Sequence, residues 1–381
     1  MICRVFYVLC VTLCIPWPVY AQGESAVRSI IRVPPRTAAE AKAGVTWVLS
    51  IGVENYRNIA RLKYTGDDAR AFANAFTEVG LVDPARVHLV ADGERTSRNL
   101  PTDAATLKAA IQRIAALCDP NDTFVLYFSG HGYADPQGVM YLAANDFDIS
   151  APAETGIPVS FVRQALLDCP AKTQLLFLDT CHSGAFNLDQ SLDGKLLATE
   201  LAAKKGIAVI CSSSGEQYSI ESPKLGHGVF THWLVKGLRG QANYEVNSWI
   251  DVHEAYRFVS THVPKSAEEL AQREQTPAFA AKNLTDVPKV LDLKRPDRPS
   301  ALVAAENDVP LGNVGYDPTL IAYMGKFAAA DPVKVIGRLK WIMENSKPGS
   351  ENYQAAETAL QKIDAEILAG RIRLPAAVLG R

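Results

Sequence analysis

Residues 45–53 (VTWVLSIGV) are a nearly unbroken apolar run rich in β-branched side chains, the pattern of a strand covered on both faces. After a polar turn, Ala69, Phe72, Ala73, Phe76 and Val79 recur at helical spacing within 67–79, and Asp67 and Asp68 stand at the positive end of that helix's dipole. The alternation continues with strands at 86–90, 123–128, 174–178 and 207–211, and helices at 102–117, 159–167, 230–238 and 249–262. Strands alternating with helices predict an α/β fold, a doubly wound, mostly parallel sheet with helices on both faces. Pro and charge then dominate the linker at 294–300, which contains RPDRPS. Two helical stretches follow, 331–344 and 351–369, so residues 301–381 read as a small helical extension packed on the surface.

The 381 residues, 48% hydrophobic and 21% charged, suffice for one α/β core and an appendage, placed here at 45–293 and 301–381. Thirty-nine Lys and Arg against 41 Asp and Glu give a net charge of −2, which supplies no basic field for nucleic acid or anionic lipid. Residues 1–21 differ from the rest: Arg4 is their only charge, 5–15 is apolar, and Val19-Tyr20-Ala21 ends on a small residue. This is the pattern of a cleaved signal peptide, followed by an N-terminal extension at 22–44. A membrane anchor needs about 20 apolar residues. Here Pro16 and Pro18 end the run early, so an exported protein, periplasmic or secreted and without a stable anchor, is expected. Lipid modification at Cys14 is disfavoured because Thr12-Leu13 lack the small residue such processing requires. Cleavage removes Cys3, Cys10 and Cys14 and leaves Cys118, Cys169, Cys181 and Cys211, no two at CxxC spacing, so no metal site is expected.

Reactive groups of open α/β sheets gather at the carboxyl ends of strands. The strand at 124–128 runs into Ser129-Gly130-His131-Gly132, and that at 175–178 into Asp179-Thr180-Cys181-His182-Ser183-Gly184. Taken singly, a His between glycines is a turn residue and a Cys after a buried strand is a small core hydrophobe. Together they supply what thiol catalysis needs, a thiolate beside an imidazole with glycine-relieved backbone nearby to donate to an oxyanion.

YFSGHG at 127–132 with LFLDTCHSGAF at 176–186 resembles the paired signature of caspase-like cysteine peptidases, in particular metacaspases and their bacterial relatives. WVLSIGVENY at 47–56, GDDARAF at 66–72, GHGVFTHWLVKGLRG at 226–240 and QTP at 275–277 follow in the order those relatives show. The resemblance implies a six-stranded sheet and a cysteine endopeptidase acting on peptides or proteins. It makes Cys181 the nucleophile that forms a thioester acyl-enzyme, His131 the general base, and the N–H groups of Gly132 and Cys181 the oxyanion hole. His182 is read as structural. No cofactor is required for the chemistry, although calcium activates many relatives, and oligomeric state is left open. Partner binding by a non-catalytic caspase-like module is the alternative. An α/β hydrolase is disfavoured by the lack of a GxSxG elbow.

The resemblance also bears on specificity. Where caspases carry an Arg for acidic P1 residues, this chain has Glu221; the carboxylates with which metacaspases hold basic P1 residues have counterparts in Asp179 and Asp68. Cleavage after Arg or Lys is therefore expected, with Asp146 a further candidate for the same pocket and Arg57 and Arg61 the features that favour an acidic residue instead. The segment 187–206 lies where relatives are processed and contains Lys195, Lys204 and Lys205, of which Lys195, after Gly194, is the favoured cut. If the two catalytic strands are neighbours, as the family's fold implies, Cys118 and Cys169 meet at the opposite edge and form a disulfide, while Cys211 stays a buried thiol.

Overall fold

The computed structural model describes residues 34–92, 101–181, 193–202, 206–215, 217–244, 248–282, 287–293 and 348–372, isolated positions near 27–31 and 336–343, and of Cys181 the backbone. The signal-peptide and linker expectations at 1–21 and 294–300 lie outside these residues, as do His182, positions 187–192 and 203–205 of the processing segment, and most of 331–344.

Six strands form the main sheet: β1 (Thr46–Gly52), β2 (Val87–Ala91), β3 (Thr123–Ala134), β6 (Thr173–Cys181), β7 (Ile207–Cys211) and β11 (Ala278–Lys282). They lie in the order β11-β7-β6-β3-β1-β2, all parallel except β11, which runs antiparallel to β7. The fold is the mixed α/β architecture that the periodicity predicts. Alternate strand residues feed two separate cores, as a pleated sheet covered on both faces requires. Leu49, Ile51, Leu126, Phe128, Leu176 and Leu178 enter one. It is closed by α3 (Ala104–Leu117), α5 (Val159–Asp168) and α6 (Gly194–Leu201). Val48, Val125, Tyr127, Leu175 and Phe177 enter the other, closed by α2 (Thr65–Glu78), α7 (Val229–Lys236) and α8 (Val252–Ala271). A C-terminal helix, α9 (Glu351–Leu368), adds Ala356, Ala359 and Ile363 to this second core.

Two elements depart from the sequence reading. β3 does not stop at Phe128: it continues through Ser129-Gly130-His131-Gly132 to Ala134, where it pairs antiparallel with β4 (Met140–Ala143), itself paired with β5 (Gly156–Pro158). Polar residues and glycines conceal a strand whose pairing comes from β6 at Ser129 to His131 and from the adjacent β4 hairpin at Gly132 to Ala134. Trp249–Asp251 is a strand, β10, paired with β12 (Lys289–Asp292), and the helix begins only at Val252. The boundary is set by a capping box in which Asp251 accepts from Glu254 N–H and Glu254 accepts from Asp251 N–H.

Candidate active site

β3 and β6 pair in parallel without a break from Thr123↔Thr173 to His131↔Cys181. Paired positions on neighbouring strands are about 4.8 Å apart, so the final register step brings the His and the Cys side by side at the carboxyl edge. His131 is fully buried, and its N–H donates to Tyr56 Oη at 2.7 Å. The Tyr56 ring lies against the imidazole, with centroids 4.7 Å apart. Glycine at 130 is what allows this, since a Cβ there would stand 2.7 Å from Tyr56 Oη. His131 Nε2 lies 2.9 Å from the Ala60 carbonyl. A carbonyl only accepts, so Nε2 carries the proton and Nδ1 is the basic nitrogen of the ring.

Two buried carboxylates converge nearby. Asp179, two residues before Cys181, is 1% exposed and accepts from Ser219 Oγ at 2.5 Å and Thr231 Oγ1 at 2.6 Å. Asp68, in the first turn of α2, is equally buried and accepts from Gly228 N–H at 3.0 Å, with His227 Nδ1 at 2.6 Å. Gly228 lies between them: a Cβ there would be 2.8 Å from Asp179 Oδ2 and 3.0 Å from Asp68 Oδ2. Burial pushes Asp68 up to about 7, against the His227 bond that pulls it down, and the charge of Asp179 adds to the rise. Burial likewise raises Asp179, opposed by its hydroxyl donors.

Supporting residues extend this group. Gln275 donates through Nε2 to Ser219 Oγ and to the Ser212 carbonyl, both at 3.1 Å, and accepts from Ile220 N–H at 3.1 Å, locking the donor that holds Asp179. Tyr127 Oη is 2.5 Å from Thr231 Oγ1, on the other donor. Glu221 is spent on the start of α2, accepting from Lys63 and Tyr64 N–H at 2.9 and 3.0 Å; burial first, then Asp179, raises its pKa. Glu54 accepts from Gly66 N–H at 3.3 Å and is pushed up to about 7 by burial, with Asp92, Asp67 and Glu221 adding to the effect. Tyr56, Ala60, Ser219, Thr231, Gln275, His227 and Glu54 escaped the sequence reading. Most lie in or beside the motifs that carried the resemblance, but their roles, that of Glu54 apart, depend on contacts across 40 or more residues.

Other candidates stand elsewhere. Asp146 accepts from Ala104 N–H at 3.0 Å and so caps α3, away from Asp68 and Asp179; burial raises its pKa, and Arg57 lowers it. Arg57 and Arg61 are exposed, and Arg57 N–H donates to the Asn145 carbonyl. Lys195 is exposed but not in a flexible stretch: it is the second residue of α6, whose N-cap Asp193 accepts from Lys195 N–H at 2.7 Å. Its peptide bond must unwind to enter an extended-substrate cleft, which removes the reason for favouring it. Lys204 and Lys205 lie outside the described residues. Cys118 and Cys169 end α3 and α5 just before β3 and β6, and are thiols hydrogen-bonded to each other, not joined by the expected disulfide. Cys211 is a buried free thiol.

Among the described residues no three His, Cys, Asp or Glu side chains are arranged to hold a metal ion. No helix among them is long and apolar enough to cross a membrane.

A parallel sheet covered on both faces, with a His and a Cys in register at its carboxyl edge, is the framework of a cysteine peptidase family. The caspase domain profile matches residues 45–287, and the chain belongs to that family. Among solved structures, a Geobacter sulfurreducens protein is similar at 18% identity and a TM-score of 0.43, over 64% of this chain and 98% of its own. Caspase-1 from Spodoptera frugiperda is similar at 14% identity and a TM-score of 0.43, over 67% and 95%. A comparison with curated proteins finds no match.

Proposed function

We propose that the chain is a cysteine endopeptidase in which Cys181 and His131 form the catalytic dyad and substrates are cut after Arg or Lys. The observation that carries the reading is the register: His131 and Cys181 are paired positions on adjacent strands, and the His131 ring is fixed by Ala60 and Tyr56 with Nδ1 as its basic atom. In the proposed reaction the Cys181 thiol gives its proton to His131 Nδ1 and the sulfur attacks the scissile carbonyl. The N–H groups of Gly132 and Cys181 donate to the oxyanion. The imidazolium then returns its proton to the leaving amine, and water hydrolyses the thioester.

The basic P1 preference rests on Asp68 and Asp179, which face each other across a glycine with neutral or titratable donors on them. A guanidinium entering between them gains charge-assisted hydrogen bonds that a neutral side chain lacks. Export after removal of residues 1–21, calcium activation and self-cleavage within 187–206 complete the proposal. A peptide-library cleavage assay on the purified mature protein, with and without calcium, reads activity, P1 preference and metal dependence together. Intact-mass measurement of Cys181 and Cys181→Ala proteins reads self-cleavage and the mature N-terminus. An Arg chloromethylketone that labels the protein but not Cys181→Ala supports the dyad. A protein that neither cleaves nor labels, yet captures a partner, is the non-catalytic module.

A further inference from the structure

A basic side chain that reaches Asp68 and Asp179 must displace donors already there, because both carboxylates are 1% exposed and hydrogen-bonded. On Asp179 these donors are neutral hydroxyls. On Asp68 one is an imidazole, which can bring the positive charge that a substrate would bring. His227 lies in a short hairpin, β9 (His227–Gly228) against β8 (Glu221–Ser222), and its neighbour Gly228 separates the two carboxylates. The side chain is 28% exposed while Asp68 is 1% exposed, so the ring stands between solvent and the buried carboxylate.

We propose that His227 is a specificity-determining residue of the S1 pocket: its imidazolium holds Asp68 in the free protein and gives that carboxylate up to the basic P1 group of the substrate. This rests on the basic P1 reading above. The charges facing His227 are Asp68 and Asp67 from α2, His232 from α7 at a ring separation of 6.3 Å, and Arg239 from the turn after α7; Asp179 of β6 acts through Asp68. The two carboxylates favour the imidazolium and Arg239 opposes it, with the hydrogen bond to Asp68 the largest influence. An incoming guanidinium takes the carboxylate and repels the imidazolium, so binding releases the ring's proton. By linkage, KM for a P1-Arg peptide falls as pH rises towards the His227 midpoint, by up to about tenfold per pH unit, and then levels. A peptide with norleucine at P1 displaces no proton.

The test uses Cys181→Ala protein, which binds without turnover. The imidazole C–H resonance of His227 is assigned by its absence in His227→Gln or, should that variant not fold, His227→Asn. Its titration is followed with and without a saturating P1-Arg peptide. The expected result is a midpoint lowered by about one pH unit in the complex. Alongside it, the KM ratio of P1-Arg to P1-norleucine peptides between about pH 6 and pH 8 should change with pH in active protein and follow a shifted curve in His227→Gln. An identical midpoint in free and bound protein overturns the proposal while leaving the Arg preference standing. No preference of the active protein for Arg over norleucine overturns the P1 reading itself, and the proposal with it.

Discussion

The two ends of the β3–β6 pair contain buried carboxylates of opposite design. At the amino end Asp122 is fully buried and accepts from Val45 N–H at 2.9 Å, Trp47 Nε1 at 3.2 Å and Asp119 N–H at 2.8 Å. It also has a cation of its own in Arg36. At the carboxyl end Asp179 is held by two hydroxyls and Asp68 by a backbone N–H and an imidazole. A buried carboxylate with its own guanidinium is a finished structural joint. Asp179, held by neutral hydroxyls, keeps an unbalanced charge, and Asp68, held by a titratable imidazole, has a partner it can exchange, the conditions for recognising a cation from outside.

The dyad variants carry the largest effect. Cys181→Ala and His131→Ala should each lower kcat by about 10³-fold or more with the thermal transition little changed. Retention of most activity in either would break the assignment of this end as catalytic.

The next pair of substitutions tests the contrast directly. Asp122→Asn leaves Arg36 without its buried partner and should cost about 3 kcal/mol in urea unfolding without altering P1 choice in what remains folded. Asp179→Asn should do the reverse, leaving stability nearly intact while kcat/KM for Arg and Lys peptides falls by about 2 kcal/mol or more, some 30-fold. Gly228→Ala belongs with it, since the methyl would occupy the space between the carboxylates at a backbone φ of −60° that alanine accepts without strain. If Asp179→Asn unfolds the protein and Asp122→Asn does not, the comparison is inverted.

The thiols at the amino end give a third test. The Cys118 thiol is held well above its ordinary range, first by the Cys169 hydrogen bond and then by burial, so thiolate exchange in the folded state is slow. Folding in the presence of glutathione disulfide should oxidise the pair, each bond formed reducing one glutathione disulfide to two thiols, and should stabilise the protein by about 3 kcal/mol. Alkylation of Cys118 and Cys169 in denatured protein folded this way, in addition to Cys181 and Cys211, would show that the pair stays reduced.

The smallest effect is on stability against pH. Asp68 has a folded pKa of about 7, above its usual 3.8, so the native state holds a proton the unfolded chain gives up. Its contribution to stability therefore falls as pH rises from about 4 to about 7. His227 is raised as well; its contribution is complete below its usual 6.5 and is lost as pH rises through the folded value. Both act in the same direction, so unfolding free energy should drop with pH more steeply in the wild type than in Asp68→Asn. Parallel curves would place the two groups' titration outside the folding equilibrium.

The hydrophobic pattern alone determined the α/β alternation, most helix positions and the two strands that lead into His131 and Cys181, because a strand buried on both faces and an amphipathic helix leave distinct periods in the chain. The motifs named the two reactive residues and the two carboxylates. Only the tertiary structure decided what those groups touch. The register of β3 on β6 pairs His131 with Cys181, the carbonyl of Ala60 selects the ring tautomer, and a hairpin more than 150 residues from Asp68 delivers His227 to it. It also removed Asp146 from the pocket and put Lys195 in a helix, since a carboxylate beside a helix start accepts whichever N–H groups folding brings near it, and sequence spacing does not encode that proximity.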